Sequence, residues 1–163
     1  MREGLQDRSV AQLMLPVQMS HPFQDCGLFG AVRKHDIHTG VDFYCEEGAE
    51  VSCIYDGVVV DVFQFTGIAV GSFWWNTTYA VVVETGNLTL VYGEVTPSVS
   101  VGEHLKVGDP IGNVRRVLRV DKGVTPVAML HLEAWLTDGY QKNYTWPLGQ
   151  PAPYSLLDPL EVL

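Results

Sequence analysis

Two short segments of the sequence carry side chains that could bind a metal ion. In the first, residues 38–42 (HTGVD), the alternation of a β-strand places His38, Gly40 and Asp42 on one face. Gly40 has no side chain, so it leaves space for an ion or a ligand to approach the backbone. This segment therefore predicts an imidazole and a carboxylate that converge on one point.

The second segment, residues 129–135 (MLHLEAW), alternates in the same way. One of its faces suits a hydrophobic core and the other faces away from it; the first comprises Leu130, Leu132 and Ala134, and the second Met129, His131, Glu133 and Trp135. His131 is thereby presented opposite His38 and Asp42. Two histidines and one aspartate form a three-ligand set for zinc that leaves a fourth position open for water or substrate. The residues predict one divalent metal ion, zinc by preference, bound by His38, Asp42 and His131.

The elements that must position these ligands are β-strands. From Phe29 onward, short runs of β-branched and aromatic residues alternate with glycine-containing turns, which is typical of antiparallel β-structure. The predicted strands are Gly40–Phe43, Glu50–Tyr55, Gly57–Phe65, Thr78–Glu84, Leu88–Gly93, Pro110–Val114 and Leu130–Trp135. The break at residues 84–87 (ETGN) predicts a tight hairpin. The fold class is therefore mainly β, as a single antiparallel sheet or a barrel-like domain.

The chain is long enough for one core and too short for two ordinary domains, at 163 residues. We predict an N-terminal arm over residues 1–24, a metal-binding β-domain over residues 25–138, and a strap rich in proline and aromatic residues over 139–163 that packs on the domain. The arm shows only a weak helical pattern. Proline residues exclude regular structure over most of the strap; they are Pro147, Pro151, Pro153 and Pro159.

The charge balance argues against a nucleic acid as the partner. Aspartate and glutamate outnumber lysine and arginine by 19 to 10, which gives a formal charge of -9 and repels a polyanion. The basic cluster is small and suits a solvated strand face; it comprises Arg115, Arg116, Arg119 and Lys122. No run approaches the roughly 20 apolar residues of a membrane helix, so no membrane span is predicted.

The N-terminus and the cysteines predict a cytoplasmic protein. Residues 1–19 carry charges where a signal peptide would have its apolar stretch. Cys26, Cys45 and Cys53 form an odd set without CxxC spacing, which favours reduced thiols over a disulfide framework.

These segments resemble the lysostaphin-type zinc endopeptidases, also called the LytM-type family, which cut peptide cross-links of bacterial cell walls. The resemblance covers roughly residues 29–135. Residues 38–43 (HTGVDF), with 47–51 (EGAEV) and 56–59 (DGVV), are similar to the family's first metal motif and its next hairpin. Residues 90–93 (LVYG) and 101–112 (VGEHLKVGDPIG) are similar to its central strand and glycine-punctuated loop. The resemblance implies the lysostaphin-type peptidase fold for residues 25–138.

The resemblance also implies roles for individual residues. His38 and Asp42 match the family's first two zinc ligands, and His131 matches the third, which is the second histidine of its HxH motif. Two positions depart from the pattern. Met129 stands at the first histidine of HxH, the usual catalytic base, and Glu94 stands where a histidine usually follows Tyr-Gly. The chain is therefore expected to be a divergent member that lacks both customary proton-handling histidines.

The resulting expectation is a zinc-dependent endopeptidase that hydrolyses peptide bonds, of peptidoglycan or related small peptides, through a metal-bound water. A carboxylate can act as general base, so Glu94, or less favourably Glu133, could replace the missing imidazole. Alternatively, Glu94 could complete or support the ligand set and Glu133 could orient a ligand histidine. Either arrangement favours the alternative function, a catalytically inactive zinc-binding domain that recognises peptidoglycan or a protein partner.

Side chains near the ligands are candidates for substrate binding. His35 precedes His38 by three residues and could line the cleft, while Met129 and Glu133 share the face of His131. An aromatic cluster could form a groove wall for an extended peptide or pack as the core of a hairpin; it comprises Phe63, Phe65, Phe73, Trp74, Trp75 and Tyr79. The family's usual target lies outside the cytoplasm, so the resemblance implies the cell envelope where the N-terminus implies the cytoplasm.

Overall fold

The computed structural model describes residues 15–72, 75–119 and 128–163. Within these residues the strands are β1 (Asp36–Ile37), β2 (Val41–Tyr44), β3 (Glu50–Ser52), β4 (Gly57–Thr66), β5 (Thr78–Thr85), β6 (Leu88–Pro97), β7 (His104–Leu105), β8 (Pro110–Val114), β9 (Met129–Leu136), β10 (Trp146–Pro147) and β11 (Leu156–Leu157). Short 3-10 helices span Asp25–Gly27, Ile68–Val70, Thr137–Gly139 and Pro159–Glu161. The strands pair in antiparallel fashion, which confirms the mainly β fold.

Most of the strands belong to one nine-stranded sheet. Its longest path runs β11-β9-β6-β5-β4-β7, while β2 pairs with β9, β8 with β6, and β3 with β8. Strand β6 pairs with β9 as far as Gly93 and with β8 from Val95 onward, so the sheet branches there. Because the sheet branches and its path does not return to its first strand, it is not closed into a barrel. Of the two architectures expected from the sequence, an antiparallel sheet and a barrel-like domain, the structure therefore has the open sheet.

The alternation of β2 and β9 sorts their side chains as predicted. One face contributes to a buried hydrophobic cluster through Val41, Phe43, Leu130, Leu132 and Ala134. The opposite face of β9 carries His131, Glu133 and Trp135, all of them buried. Since buried polar groups require hydrogen-bond partners, the two ionisable side chains on this face must belong to a connected polar network.

The structure contains all seven predicted strands and extends several of them; β4 reaches Thr66, β6 reaches Pro97 and β9 spans Met129–Leu136. Strand β3 ends at Ser52 rather than Tyr55 because its register with β8 shifts after Val51. The unpredicted strands β1, β7, β10 and β11 have two residues each. A run of two residues carries no periodicity, so the sequence gives no signal for them.

The predicted hairpin lies between β5 and β6. Thr85 pairs with Leu88, which leaves Gly86 and Asn87 as a two-residue turn. Gly86 has φ 59°, in the left-handed region that such a turn requires and that glycine adopts without strain. The tight hairpin is therefore confirmed.

The C-terminal segment lies along the face of β9 that carries Trp135. Strand β11 pairs with β9 and β10 pairs with β1. The rings of Tyr140 and Tyr144 meet Trp135 edge-on with centroid distances of 5.8 and 5.7 Å, and Trp146 packs at 5.4 Å against Phe29. These aromatic contacts hold a segment that has little regular structure of its own.

Some sequence predictions fall outside the described residues. These are residues 1–14 of the N-terminal arm, the aromatic residues Phe73 and Trp74, and Lys122 of the basic cluster. Among the described residues, no helix has both the length and the apolar character needed to cross a membrane.

Candidate metal centre

Two neighbouring strands and the segment before them bring the predicted ligands together. Asp42 of β2 lies directly opposite His131 of β9 in the strand register. Backbone hydrogen bonds from His38 to Ala31 and from Gly30 to His38 fix the segment that precedes β2. As a result, His38 Nε2 lies 3.1 Å from His131 Nδ1 and 3.2 Å from Asp42 Oδ1, and His131 Nδ1 lies 3.1 Å from the same oxygen.

The triangle of ligand atoms has the dimensions of a zinc site. Bonds of about 2.0–2.2 Å in a tetrahedral arrangement separate two ligand atoms by roughly 3.3–3.6 Å. The observed separations of 3.1 to 3.2 Å are close to that spacing. Among the described residues, His38, Asp42 and His131 form a buried group whose ligand atoms all lie within 4.8 Å of one another, and Glu94 is not part of it. The donor set therefore fits zinc with a fourth vertex left open.

Hydrogen bonds on the outer nitrogens of the two imidazoles leave His38 Nε2 and His131 Nδ1 facing the triangle, and a bound metal would displace the proton that His131 Nδ1 shares with Asp42. A carbonyl oxygen can only accept, so His38 Nδ1 donates to Leu28 O at 3.0 Å and Nε2 carries the lone pair. His131 Nε2 donates to Glu133 Oε2 at 2.8 Å, which frees Nδ1 for the ion. The tautomers that a metal site needs are thus set by the surrounding chain.

Glu133 is the centre of a buried polar network behind His131. Its Oε2 accepts hydrogen bonds from Thr39 Oγ1 at 2.7 Å and from His131, and its Oε1 accepts one from Trp135 Nε1 at 2.9 Å. Burial would raise the pKa of Glu133, but these hydrogen bonds, that of His131 first, lower it. The carboxylate lines the first cavity described below, yet its oxygens are already engaged. Of the roles that the sequence left open, orientation of His131 fits this geometry best.

Glu133→Gln tests this orientation. Glutamine has the same shape but a weaker acceptor, so His131 should lose part of its alignment and basicity. Loss of such a supporting group typically weakens metal binding by about 10–100-fold. Competition with a chromophoric chelator measures the zinc affinity. Glu50→Gln, at an exposed position of β3, is the control with the same change in charge. Equal zinc affinities for the two variants would contradict the role given to Glu133.

Gly40 has a different role from the one predicted. A Cβ at this position would overlap the backbone carbonyl oxygen of Leu132 and would lie 3.0 Å from His131 Cε1. Glycine is therefore required because the chain before β2 passes directly against β9, and not because an ion or ligand approaches the backbone. The same close approach brings His38 within reach of His131.

Gly40→Ala is accordingly expected to destabilise the protein. Overpacking of this kind costs about 1–3 kcal/mol, because the chain before β2 must move away from β9. Urea denaturation of the metal-free protein measures the free energy of unfolding, with Thr96→Ala on an exposed site of β6 as control. A Gly40→Ala protein as stable as the parent would show that the two segments are not in tight contact.

The charges around the triangle favour a cation at its centre. Burial would lower the pKa of His131, but hydrogen bonds to Asp42 and Glu133 raise it to about 10. Burial would likewise raise the pKa of Asp42, yet hydrogen bonds from His131 and His38 hold it well below its usual range. Arg33 Nη2 donates to the other oxygen of the same carboxylate, Asp42 Oδ2, at 3.1 Å. The Arg33 contact is a feature of the site that the sequence pattern did not reveal.

Glu94 occupies an unusual position beside the triangle. It lies where β6 leaves β9 and begins to pair with β8, and its φ of 68° is in the left-handed region that non-glycine residues seldom adopt. Its Oε2 is shielded from solvent and has no hydrogen-bond partner among the described residues. Burial, together with the negative charge of Asp42, raises the pKa of Glu94 to about 8. A strained backbone and a buried polar atom without a partner are features that cluster at functional sites, so Glu94 is a candidate for a chemical role.

Two cavities flank the triangle. The first, of about 240 Å³, is lined by Phe65 and by residues 143–146 of the C-terminal segment. The second, of about 280 Å³, is lined by Cys26, Tyr44 and Met129 among others. The residues that line both cavities are Arg33, Trp75, Glu94 and His131. His38 and His131 line the first cavity and Asp42 and His131 line the second, and the two cavities together are called the cleft.

The candidates for substrate binding are placed differently from one another. Met129 lines the second cavity and Glu133 the first. His35 is exposed and is not among the described residues that line either cavity. Of the aromatic cluster, Phe65 and Trp75 line the cleft, whereas Phe63 packs against Phe65 at a centroid distance of 6.3 Å. Part of this cluster is thus a groove wall.

Solved structures with the same fold come from several bacteria. The chain is similar to the catalytic domain of the antimicrobial peptidase lysostaphin from Staphylococcus simulans, with a TM-score of 0.54, 17% identity, and coverage of 93% of this chain and 96% of that one. It is similar to cbpa from L. salivarius REN, with a TM-score of 0.53, 23% identity and 86% of each chain covered. For Csd3 from Helicobacter pylori the TM-score is 0.54 with 20% identity, and the match covers 85% of this chain but 35% of that one.

These similarities confirm the lysostaphin-type fold, and the chain spans about a third of the length of Csd3. A comparison with curated proteins finds no match. Residues 36–143, well over half of the chain, match the model described as Peptidase family M23. This segment runs from β1 to the residues just before β10 and includes His38, Asp42 and His131. The chain therefore belongs to peptidase family M23.

Proposed function

We propose that this protein is a zinc-dependent endopeptidase that hydrolyses peptide bonds of peptidoglycan or of related small peptides. The observation that carries the proposal is the triangle of His38 Nε2, Asp42 Oδ1 and His131 Nδ1, with sides of 3.1 to 3.2 Å, at the centre of a cleft. The other ring nitrogens of the two histidines are hydrogen-bonded, His38 Nδ1 to Leu28 O and His131 Nε2 to Glu133 Oε2, so both rings are oriented to bind a metal.

In this proposal His38, Asp42 and His131 hold the ion. Zinc supplies a Lewis acid that polarises a carbonyl group and lowers the pKa of a water molecule. Glu133 keeps the ring of His131 aligned, and Thr39 keeps Glu133 in place through a hydrogen bond of 2.7 Å. The burial of these groups excludes bulk water and strengthens each electrostatic contact.

Glu94 is the proposed general base. It lines both cavities beside His131, and its Oε2 is not engaged by any described protein group. With a pKa of about 8, Glu94 is ionised at alkaline pH, and the ionised carboxylate can accept a proton from water and deliver it to the leaving amine, as peptide hydrolysis requires. Met129 lies on the wall of the second cavity, and its thioether has no proton to exchange.

The shape of the cleft suits an extended peptide. The first cavity offers aromatic surface from Phe65, Trp75 and Tyr144, and the second offers Tyr44 and Met129. A chain that crosses from one cavity to the other would pass over the ligand triangle with residues on both sides of the reacting bond. One structural relative is the catalytic domain of an antimicrobial peptidase, which supports cell-wall peptides as the first substrates to test.

Cleavage assays test the proposal directly. Zinc-loaded protein is incubated with glycyl peptides, D-alanyl peptides and purified peptidoglycan, in parallel with protein stripped by a chelator, and products are identified by mass spectrometry. Cleavage that disappears on stripping and returns with zinc is the expected result. Retained zinc and bound peptidoglycan without cleavage would instead support the alternative function, a zinc-binding recognition domain.

A further inference from the structure

Arg33 lies where the two cavities of the cleft meet the same residues. Four residues line both cavities. They are the candidate metal ligand His131, the proposed base Glu94, and the side chains of Trp75 and Arg33. A peptide bond that reacts at the ligand triangle lies on the boundary between the cavities, among these four groups. Arg33 is the only lysine or arginine among the described residues that line either cavity.

The guanidinium is anchored along one edge. Arg33 Nε and Nη2 both donate to the carbonyl oxygen of Cys26, at 3.2 and 2.8 Å, and Nη2 also donates to Asp42 Oδ2 at 3.1 Å. Asp42 Oδ1, on the same carboxylate, is the atom that belongs to the ligand triangle. The guanidinium is therefore held one carboxylate away from the position of the ion, in a fixed orientation.

The other edge of the guanidinium is free to act on a substrate. Nη1 has no hydrogen-bond partner among the described residues. The side chain lines both cavities and is 40% exposed, whereas the Asp42 side chain is only 5% exposed. A donor held in a fixed orientation with unused N–H groups can stabilise negative charge that develops on a nearby oxygen.

We infer that Arg33 is a catalytic residue whose Nη1 donates to the carbonyl oxygen of the scissile peptide bond as negative charge develops on that oxygen. The inference rests on the proposed peptidase function. In the reaction the oxygen of water bonds to the carbonyl carbon, Glu94 takes the proton of that water, the C–N bond breaks, and the proton passes to the leaving amine. Arg33 exchanges no proton and contributes by charge and hydrogen bonding alone.

Arg33→Met tests the inference, because methionine keeps an unbranched side chain and removes the donor. Lys34→Met is the matched control, since Lys34 is exposed, adjacent and equal in charge but is not among the residues lining the cavities. With saturating zinc, we expect kcat on a glycyl peptide to fall by about 10²–10³ for Arg33→Met. KM should change by no more than a few-fold, and Lys34→Met should behave like the parent protein.

A second measurement does not depend on turnover. A phosphinic analogue of a glycyl peptide carries a tetrahedral, anionic centre like that of the reacting bond, and isothermal titration calorimetry measures its affinity for zinc-loaded protein. Arg33→Met should weaken this binding by about 10²–10³, and Arg33→Lys should weaken it less because it keeps the charge. The glycyl peptide, titrated into metal-free protein so that it is not cleaved, should bind the parent protein and Arg33→Met with similar affinity.

The outcomes separate this inference from the proposed function. Absence of cleavage by the parent protein would refute the peptidase proposal, whereas the binding of the phosphinic peptide would still show whether Arg33 binds a tetrahedral anion beside the ligand triangle. Unchanged kcat and unchanged phosphinic affinity in Arg33→Met would overturn the inference. A defect that excess zinc repairs would also overturn it, because Arg33 would then act only by holding Asp42.

Discussion

His131→Ala is expected to abolish stoichiometric zinc binding. The parent protein should bind one zinc ion, since the atoms of three ligands lie 3.1 to 3.2 Å apart and one ring nitrogen of each histidine faces the same point. Removal of His131 leaves two ligands, and it also leaves the carboxylates of Asp42 and Glu133 without the ring that bridges them. Elemental analysis of dialysed protein measures the zinc content. His104→Ala, an exposed histidine on β7, is the control and should keep its zinc.

The same variant should remove the effect of zinc on thermal stability. A ligand present at a thousandfold excess over its Kd stabilises the folded state by about 4 kcal/mol. For a chain of this size that corresponds to a rise in Tm of roughly 10 °C. Calorimetry with zinc and with a chelator should show this difference for the parent protein and for His104→Ala but not for His131→Ala. An identical Tm in both conditions for the parent protein would refute the metal centre altogether.

The strands and their faces could be predicted from sequence because both depend on local pattern. Alternation in residues 129–135 identifies the core face and the polar face of β9 whatever the strand pairs with, and the structure confirms it. The short spacing of His38 and Asp42 restricts them to one side of one segment. Their convergence with His131 does not follow from local pattern, because it depends on Asp42 and His131 being paired in register across two strands far apart in the chain.

Contacts between distant segments could not be predicted in this way. Neither the guanidinium of Arg33 on Asp42 nor the hydroxyl of Thr39 on Glu133 follows from periodicity, since each joins side chains whose approach is set by packing. The requirement for Gly40 was visible as an unusual residue type, but its cause, the carbonyl of Leu132, lies 92 positions away in the numbering of the chain. The open sheet likewise depends on where β6 changes partner.

The left-handed conformation of Glu94 is another feature that could not be predicted from the sequence, and it bears on the function of this residue. Asparagine, aspartate and glycine tolerate such a φ better than glutamate does. The strain and the unpaired Oε2 both reduce the stability of the fold. A glutamate that lowers the stability of the fold in two ways is explained if its carboxylate is needed for the reaction. Measurements of both activity and stability can test this explanation.

Glu94→Gln is expected to lower kcat/KM by about 10²–10⁴, because glutamine fills the same space but cannot accept a proton from water. Zinc content should not change, since Glu94 does not belong to the ligand triangle. Rate assays on a glycyl peptide and elemental analysis measure the two quantities. Glu84→Gln on β5 outside the cleft is the control and should keep the parent activity. Full activity of Glu94→Gln would exclude Glu94 as the base.

The same substitution should make the metal-free protein more stable at alkaline pH. The pKa of Glu94 is raised from 4.5 to about 8 in the folded state, so the folded state binds this proton more tightly than the unfolded chain does. The free energy of unfolding therefore declines as the pH rises from 4.5 through about 8, where the buried carboxylate ionises. Glutamine does not ionise, and metal-free Glu94→Gln should melt at a higher temperature than the parent protein above pH 8 and show a smaller difference below pH 4.5. A lower activity together with a higher stability from one isosteric substitution would identify Glu94 as a residue retained for its chemistry. If Glu94 had a purely structural role, the substitution would lower both the activity and the stability.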